Sequence, residues 1–351
     1  MMCDYHKVII RLAASLLAVL FLTACEKSPQ PEVVGFTGGT MGTSYSVKWL
    51  AADSAGSDQV IQQTAALSSA ADAMLADVNQ SMSTYIADSE LSLLNSASGA
   101  VTQSLSEPLF QVLELSQQIS HASNGAFDVT VGPLVNLWGF GPDGRVTKAP
   151  SLADIQALQT RIGYRKVKLN AEQSEVERAE GVYIDLSAVA KGYGVDRLAD
   201  MMESHGITDY LVEIGGELRA SGAKLNDEPW LIAIESPVTG QRTIQRIIAV
   251  KDVAVATSGD YRNYFEENGI RFSHTIDPAT GRPISHKLAS VTVLRPSCAE
   301  ADALATAFTV MGEEKAYEYA IANGIEAMFI VKNDAGFTEK QTPGFAAYLV
   351  E

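Results

Sequence analysis

The chain has 351 residues, of which 46% are apolar, and 42 acidic against 26 basic residues give it a formal net charge of −16. So acidic a balance argues against a nucleic-acid partner, because phosphate binding is driven by Lys and Arg. With only three cysteines no disulfide framework can form, so burial of apolar side chains must hold the fold together.

The N-terminus reads as an export signal rather than as part of the fold. Lys7 and Arg11 precede an apolar run over residues 12–24, which is too short to span a bilayer. Small residues before Cys25 resemble a lipobox, in which the cysteine is lipidated and becomes the new N-terminus. An ordinary membrane anchor followed by a chance cysteine is the alternative.

The predicted organisation follows from this signal. We expect a signal peptide over residues 1–24, a tether over 25–34 and a single domain over 35–351. The protein is then expected in a bacterial periplasm, anchored by lipid. Glu26 follows the cysteine where an aspartate retains lipoproteins on the inner membrane, so the outer membrane is favoured.

The first half of the domain mixes one glycine-rich segment with helices. Four glycines between residues 35 and 42 are equally typical of a phosphate-binding loop and of a hairpin. Alternation over residues 43–50 predicts an antiparallel strand. Helical spacing and capping residues predict helices over 57–80, from Ser106 to about 120, and from Ser151 to about 162, with a strand over 166–169.

A helix N-terminus in the middle of the chain is a candidate anion site. Residues 182–185 predict a strand, and Ser187 is expected to cap a helix that ends at Gly206. Asp185, Ser187 and Lys191 would then surround the unsatisfied N–H groups of that helix. Such a place suits a phosphate.

Strands dominate the second half. They are predicted over residues 210–214, 217–221, 230–235, 243–250, 253–257, 272–276, 289–294 and 326–331, with helices over 299–311 and 313–323. Runs of strands beside separate helices are typical of an α+β protein with a largely antiparallel sheet.

His274 lies among hydroxyl residues at the end of a predicted strand and before two turns. Imidazole titrates near neutral pH, so this position suits proton transfer. A lone histidine is also a common structural residue, and the segment alone does not decide between the two readings.

Asp302 and Thr306 stand four residues apart on an alanine-rich predicted helix, and therefore share one face of it. A carboxylate and a hydroxyl are hard oxygen donors, which suit Mg²⁺ better than zinc. The alternative is a capping acid beside a threonine that bonds back to its own helix.

Five motifs in order resemble the ApbE family of FAD:protein FMN transferases, and the resemblance extends over essentially the whole mature chain. The motifs are Gly-Gly-Thr-Met-Gly-Thr at 38–43, Gly-Ala-Phe-Asp-Val-Thr at 125–130, Asp-Leu-Ser-x-x-Ala-Lys-Gly-Tyr at 185–193, Ser-His-Thr-Ile-Asp-Pro-x-Thr-Gly-Arg-Pro at 273–283, and Ala-Asp-Ala-x-Ala-Thr at 301–306.

The resemblance implies a T-fold-like α+β body that takes FAD as substrate, uses Mg²⁺ and attaches FMN to a threonine hydroxyl of a partner, releasing AMP. The implied partners are exported flavoprotein subunits of respiratory electron-transfer complexes. Carried over by position, the implied FAD contacts are Met41, Tyr85, Ala126, Phe127, Asp128, Asp185 and Lys191. The implied metal ligands are Asp302, Thr306 and the main-chain carbonyl of Ala188.

The motifs do not decide which side chain acts as the general base. His274 is one candidate for accepting the threonine proton and is equally suited to holding the adenine or ribose, in which case Asp260 or Asp277 would be the base. Two rival functions also remain: an FAD pyrophosphatase that releases FMN to water, and a non-enzymatic periplasmic lipoprotein that binds FAD.

Overall fold

A computed structural model describes residues 30–141, 144, 146, 148–238, 243–260, 263–267 and 269–350. The signal segment and Cys25 lie outside these residues. The helices are α1 (Asp58–Met82), α2 (Glu90–Ser96), α3 (Glu107–Ala122), α4 (Gly132–Leu137), α5 (Leu152–Gln159), α6 (Ala190–Ser204), α7 (Cys298–Met311) and α8 (Glu313–Ala322). Within the described part of the chain, no helix has the length and apolar character needed to cross a membrane.

The strands come mostly from the second half of the chain. They are β1 (Glu32–Thr40), β2 (Thr43–Ala51), β3 (Val101–Ser104), β4 (Val167–Asn170), β5 (Glu175–Arg178), β6 (Tyr210–Ile214), β7 (Glu217–Ser221), β8 (Trp230–Glu235), β9 (Ile244–Val250), β10 (Val253–Gly259), β11 (Tyr264–Glu267), β12 (Ile270–Ser273), β13 (Ile276–Asp277), β14 (Arg282–Pro283), β15 (Leu288–Arg295), β16 (Glu326–Asn333) and β17 (Gly336–Gln341). Short 3-10 turns lie at Tyr164–Lys166, Leu225–Asp227 and Pro343–Tyr348.

Eight strands form one sheet in the order β1-β2-β6-β7-β10-β15-β16-β17, and every neighbouring pair is antiparallel. The predicted α+β class with a largely antiparallel sheet is therefore confirmed. Strand β15 is buried along nearly its whole length because both faces of the sheet are covered.

The two faces of the sheet have different coverings. Ala254, Ala256 and Val293 face the helices α6 and α7, whereas their neighbours Val255 and Leu294 face the opposite way. There they pack on the two-stranded ribbon β8–β9. This alternation follows from the two-residue period of a strand.

The glycine-rich N-terminal segment forms a hairpin. Met41 and Gly42 both have positive φ, 49° and 71°, between the paired residues Thr40 and Thr43, as a type I′ turn requires. Strand β1 begins at Glu32, so the last part of the predicted tether belongs to the sheet.

The segment 182–185 does not form the predicted strand. It is extended but joins no strand, because the side-chain amide of Asn95 bonds both backbone groups of Ile184 and the N–H of Asp185 donates to the carbonyl of Val129. Helix α6 begins at Ala190 with Val189 as its N-cap, two residues later than predicted, so Ser187 is not the N-cap. The hydroxyl of Ser187 donates to Asp185 instead.

Candidate active site

A cavity of about 800 Å³ opens between the sheet, the loops before α6 and the turn that carries His274. Its volume lies within the range of small-molecule sites. Ten of the residues predicted for the site line it: Tyr85, Ala126, Phe127, Asp128, Asp185, Ala188, Lys191, His274, Asp302 and Thr306. The structure thus brings together residues that are up to about 220 positions apart in sequence.

Helices α6 and α7 cross at the floor of this cavity in unusually close contact. The carboxylate of Asp302 accepts a hydrogen bond from the backbone N–H of Gly192 at 3.1 Å. A Cβ at position 192 would lie 2.4 Å from the carbonyl oxygen of Cys298, so only glycine allows this approach.

The contact is reciprocal. The carboxylate of Asp196, on α6, accepts hydrogen bonds from the backbone N–H groups of Cys298 and Ala299 and from the hydroxyl of Ser297. Each helix therefore supplies an acid that satisfies the free N–H groups of the other. The carboxylate of Asp302 therefore takes up part of the anion site predicted at the start of α6.

A charge cluster of Lys191, Glu217 and Asp302 forms one wall. The ammonium of Lys191 lies 2.9 Å from Glu217 and 3.8 Å from Asp302. Burial alone would lower the pKa of Lys191, but the two carboxylates outweigh it and raise the pKa above its ordinary value. Burial raises the pKa of Asp302 to about 7, with Glu217 adding to the shift and Lys191 opposing it.

Three oxygen donors beside this cluster could hold a metal ion. In addition to Asp302, they are the hydroxyl of Thr306 and the carbonyl of Ala188. Neither the hydroxyl nor the carbonyl takes part in a hydrogen bond with any described residue, although Thr309 on the same helix does bond back to the carbonyl of Ala305 at 2.8 Å. The back-bonding alternative for Thr306 is therefore not what the structure has.

This donor set selects among metals. The described residues contain no group of three or more His, Cys, Asp or Glu that could bind an ion. One carboxylate, one hydroxyl and one carbonyl fit a hard cation that keeps waters or substrate phosphates in its remaining positions. They do not fit zinc, which takes nitrogen and sulfur ligands.

Asp128 holds the loop that presents Ala126 and Phe127 to the cavity. Its carboxylate accepts hydrogen bonds from the backbone N–H and the hydroxyl of Thr130 and from the backbone N–H of Tyr164, at 2.6 to 2.8 Å. Burial raises the pKa of Asp128, and these hydrogen bonds oppose the shift. Its contribution to the site is thus in large part the shape of this loop.

Asp185 and Tyr85 line the cavity in different ways. One oxygen of Asp185 accepts hydrogen bonds from the backbone N–H and the hydroxyl of Ser187, which fixes the turn leading into α6. Tyr85 is 70% exposed, which is unusual for an aromatic ring in a folded protein and leaves its face open to a planar ligand at the cavity edge.

The ring of His274 has a defined tautomer. Its Nδ1 lies 3.1 Å from the carbonyl oxygen of Asn263, which can only accept, so Nδ1 carries the proton and Nε2 has a free lone pair when the ring is neutral. Burial lowers the pKa of His274, while the Asn263 carbonyl and Asp260 oppose the shift. At neutral pH the ring is a proton acceptor through Nε2.

The hairpin that carries His274 is supported by aromatic packing. Phe265 and Phe272 stack at 5.0 Å, Trp138 lies 5.4 Å from Phe272, and the indole N–H of Trp138 donates to the carbonyl of Gly281. These contacts fix the turn on both sides of the histidine. Trp138 therefore supports the site from outside it, while the nearby Phe140 and Gly141 line the cavity.

Three predicted site residues do not line the cavity. Asp260 forms an ion pair with Lys332 at 3.7 Å. The carboxylate of Asp277 accepts the N–H of Ala279 and so closes a turn. The side chain of Met41 approaches Gly194 on α6, where it packs with the core. Of the three candidate bases, only His274 faces the cavity.

Two residues that contribute to the site, Glu217 and Asn263, are not among the predicted site residues. Glu217, nearly fully buried, begins β7 directly after Gly215 and Gly216, and the strand sequence Glu-Leu-Arg-Ala-Ser does not mark it as a site residue. Asn263 acts through its main-chain carbonyl, which no side-chain pattern reveals.

Comparisons with known proteins agree with this geometry. The sequence model of the ApbE family matches residues 41–329. A relative in Vibrio cholerae named FAD:protein FMN transferase is 44% identical over 335 residues, covering 95% of this chain and 98% of the relative. One of the same name in Escherichia coli is 37% identical over 346 residues, covering 96% and 97%.

Solved structures give the same match in three dimensions. The flavin transferase ApbE from Vibrio cholerae superposes with a TM-score of 0.82 at 42% identity, covering 91% of this chain and all of the other. The flavinyl transferase ApbE from Pseudomonas stutzeri gives 0.81 at 38% identity, covering 91% and 97%. Every residue that lines the cavity lies inside the matched range.

Proposed function

This chain belongs to the ApbE family, and from that membership we propose that it transfers the FMN half of FAD to a threonine hydroxyl of an acceptor protein. The observation that carries the proposal is the sharing of one cavity by a neutral imidazole and a set of free oxygen donors. Phosphoryl transfer needs an aligned nucleophile and neutralised charge, and these two features supply them.

In the proposed reaction the threonine Oγ attacks the FMN phosphorus of FAD. A P–O bond forms to the threonine, the bond from that phosphorus to the bridging oxygen breaks, and AMP leaves with the bridging oxygen. Nε2 of His274 accepts the threonine proton, which Asn263 makes possible by holding the proton already on the ring at Nδ1. The products are a phosphoester-linked FMN and AMP.

Asp302, Thr306 and the carbonyl of Ala188 are the residues that would hold Mg²⁺. When bound, the ion supplies charge neutralisation at the phosphates of FAD. The charges nearby favour a cation, because two carboxylates, Glu217 and Asp302, face a single ammonium, Lys191. Lys191 opposes the rise that burial causes in the pKa of Asp302, and so favours the charged carboxylate that a cation would need.

Tyr85 and Phe127 are the aromatic side chains of the predicted FAD contacts that line the cavity. We assign the flavin ring to the exposed face of Tyr85 at the cavity edge, because a planar conjugated ring gains most from an open aromatic face. Asp128 and Asp185 shape the two loops between which FAD would lie.

The acceptor and the location form a further part of the proposal. We propose an exported flavoprotein subunit of a respiratory complex as acceptor, and a periplasmic site anchored through lipid on Cys25, with the outer membrane favoured. Support comes from the order of charge, apolar run and cysteine at the N-terminus. The first described strand begins only seven residues after that cysteine.

The test is to incubate the mature domain with FAD, Mg²⁺ and an exported flavoprotein subunit and to weigh the subunit by intact mass spectrometry. We expect a covalent FMN increment that disappears with EDTA or when the acceptor threonine is changed to valine. Free FMN and AMP with an unmodified subunit would favour the pyrophosphatase, since water can enter the same cavity. Intact, bound FAD would favour the storage protein.

A further inference from the structure

Strand β8 has one edge that no other strand covers within the described residues. It pairs only with β9, in a two-stranded ribbon. The other edge of the ribbon is closed, because the N–H of Val350 donates to the carbonyl of Ile247 and Leu349 forms a bridge with Ile248.

The register identifies which backbone groups lie on the open edge. The carbonyl of Ile247 points to the C-terminus, and therefore away from β8. In an antiparallel pair directly opposite residues share one hydrogen-bonding state, so Ala233, the partner of Ile247, directs its own N–H and C=O away from β9. Leu231 lies two residues before Ala233 on the strand, so its N–H and C=O also point away from β9. Neither residue has a backbone hydrogen bond to a described residue outside the ribbon.

This open edge borders the cavity. Ile232, Ala233 and Ile234 all line it, although neighbouring side chains on a strand point to opposite faces. Consecutive residues can share one cavity only where it runs along the strand edge. The unpaired groups of Ala233 therefore face the cavity that also contains His274.

The central part of this edge lacks the features that prevent strand addition, which are confined to Pro229 before the strand and to Glu235 and Pro237 at its end. Natural edge strands are usually blocked by charge or proline, but residues 231–234 are Leu, Ile, Ala and Ile. The outer face of the ribbon is apolar as well, with Leu231 53% exposed and Ile247 38% exposed. A row of unpaired backbone groups beside an exposed apolar face is the arrangement that binds an extended polypeptide.

We propose that the acceptor protein binds by adding an extended segment to the open edge of β8. This inference rests on the proposed transfer to a protein. Side chains on one face of the segment pack on Leu231 and Ala233, and those on the other face point into the cavity, where the hydroxyl that receives FMN meets Nε2 of His274. Recognition is then mainly through the acceptor backbone.

The test is Ala233→Pro, which removes the edge donor but leaves the hydrogen bonds between β8 and β9 intact. The probe is the exported flavoprotein subunit that the unaltered chain labels. We expect the KM for this subunit to rise about tenfold or more, the effect of losing one or two main-chain hydrogen bonds. The affinity for FAD and the rate at saturating subunit should not change.

The matched control is Thr37→Pro on β1, also an edge strand. Thr40 and Thr43 are hydrogen-bonded to each other at the hairpin turn, and successive residues of a strand direct their N–H groups to opposite sides, so the N–H of Thr37 points away from β2. Thr37 does not line the cavity. Its KM should equal that of the unaltered chain. Leu231→Lys, at an exposed side chain, gives a second variant with an intact backbone, and it should also raise the KM.

Two results would overturn the proposal. An unchanged KM in both Ala233→Pro and Leu231→Lys would mean that the acceptor binds elsewhere. Weaker FAD binding in Ala233→Pro, with an unchanged KM for the subunit, would assign the edge to the nucleotide. Failure of the unaltered chain to label any subunit would instead count against the transferase function itself.

Discussion

The carboxylate of Asp302 accepts the backbone N–H of Gly192 across the crossing of α6 and α7. Asp196 makes the reverse contact with the start of α7, so the helix that carries Lys191 and the helix that carries Thr306 are positioned by each other. The close contact of the two helices at Gly192, which has no side chain, therefore positions the oxygen donors of the site.

Gly192→Ala should separate the two helices. The new Cβ would meet the main-chain carbonyl of Cys298, which cannot rotate away as a side chain can, and we expect a loss of about 1–3 kcal/mol of unfolding free energy. Activity at a fixed Mg²⁺ concentration should fall with it, because Asp302 moves relative to Ala188. Urea unfolding and transfer assays measure the two effects.

Gly56→Ala is the control, since a Cβ there meets nothing within 4 Å and the backbone is not in the left-handed region. It should leave stability and activity unchanged. A Gly192→Ala chain as stable as Gly56→Ala would contradict the close helix contact.

Asp196→Ala removes three hydrogen bonds from the start of α7 and an ion pair with Arg219 at 3.3 Å, and leaves the cavity lining untouched. We expect it to cost about 1–2 kcal/mol, as the loss of a helix cap does. Asp200→Ala, one turn later on the same helix, loses only an exposed ion pair with Arg197 and should cost less than about 0.5 kcal/mol. Equal thermal midpoints for the two variants would refute the capping role.

Local signals were enough to predict much of this fold. Strands β6, β7 and β8 have the predicted bounds, because each is a short run of five or six residues between turn residues such as glycine and proline. The predicted caps Ser106 and Ser151 also accept hydrogen bonds from the N–H groups of their helices.

What the sequence could not reveal depends on distant partners. Residues 182–185 have the composition of a strand, but the side chain of Asn95, some 89 positions away, takes up the hydrogen bonds that a neighbouring strand would need. Only the fold brings Glu217 against Lys191, or excludes Asp260 and Asp277 from the cavity that His274 faces.

Thr306→Val tests the metal site without disturbing the helix. The hydroxyl of Thr306 has no hydrogen bond to a described residue, so valine should leave stability nearly unchanged and weaken Mg²⁺ binding by about 10- to 100-fold. Thr309→Val removes a hydroxyl that bonds the carbonyl of Ala305, and should lower stability slightly with normal Mg²⁺ binding. Calorimetric titration with Mg²⁺ and thermal unfolding distinguish the two variants. Equal Mg²⁺ affinities in both would show that Thr306 is not a metal ligand.

The pH dependence of transfer should follow His274. Burial lowers the pKa of this ring below its ordinary value of 6.5, so the neutral form that accepts a proton prevails at neutral pH and is lost on acidification. At saturating Mg²⁺, which favours the ionised form of Asp302, the rate should therefore be flat near pH 7 and above, and should fall as the pH drops through a value below 6.5. His274→Ala should reduce the plateau by about 10²- to 10⁴-fold and remove the acidic limb, with FAD still bound. A profile with the same acidic limb in the variant would assign the titrating group, and with it the role of base, to another residue.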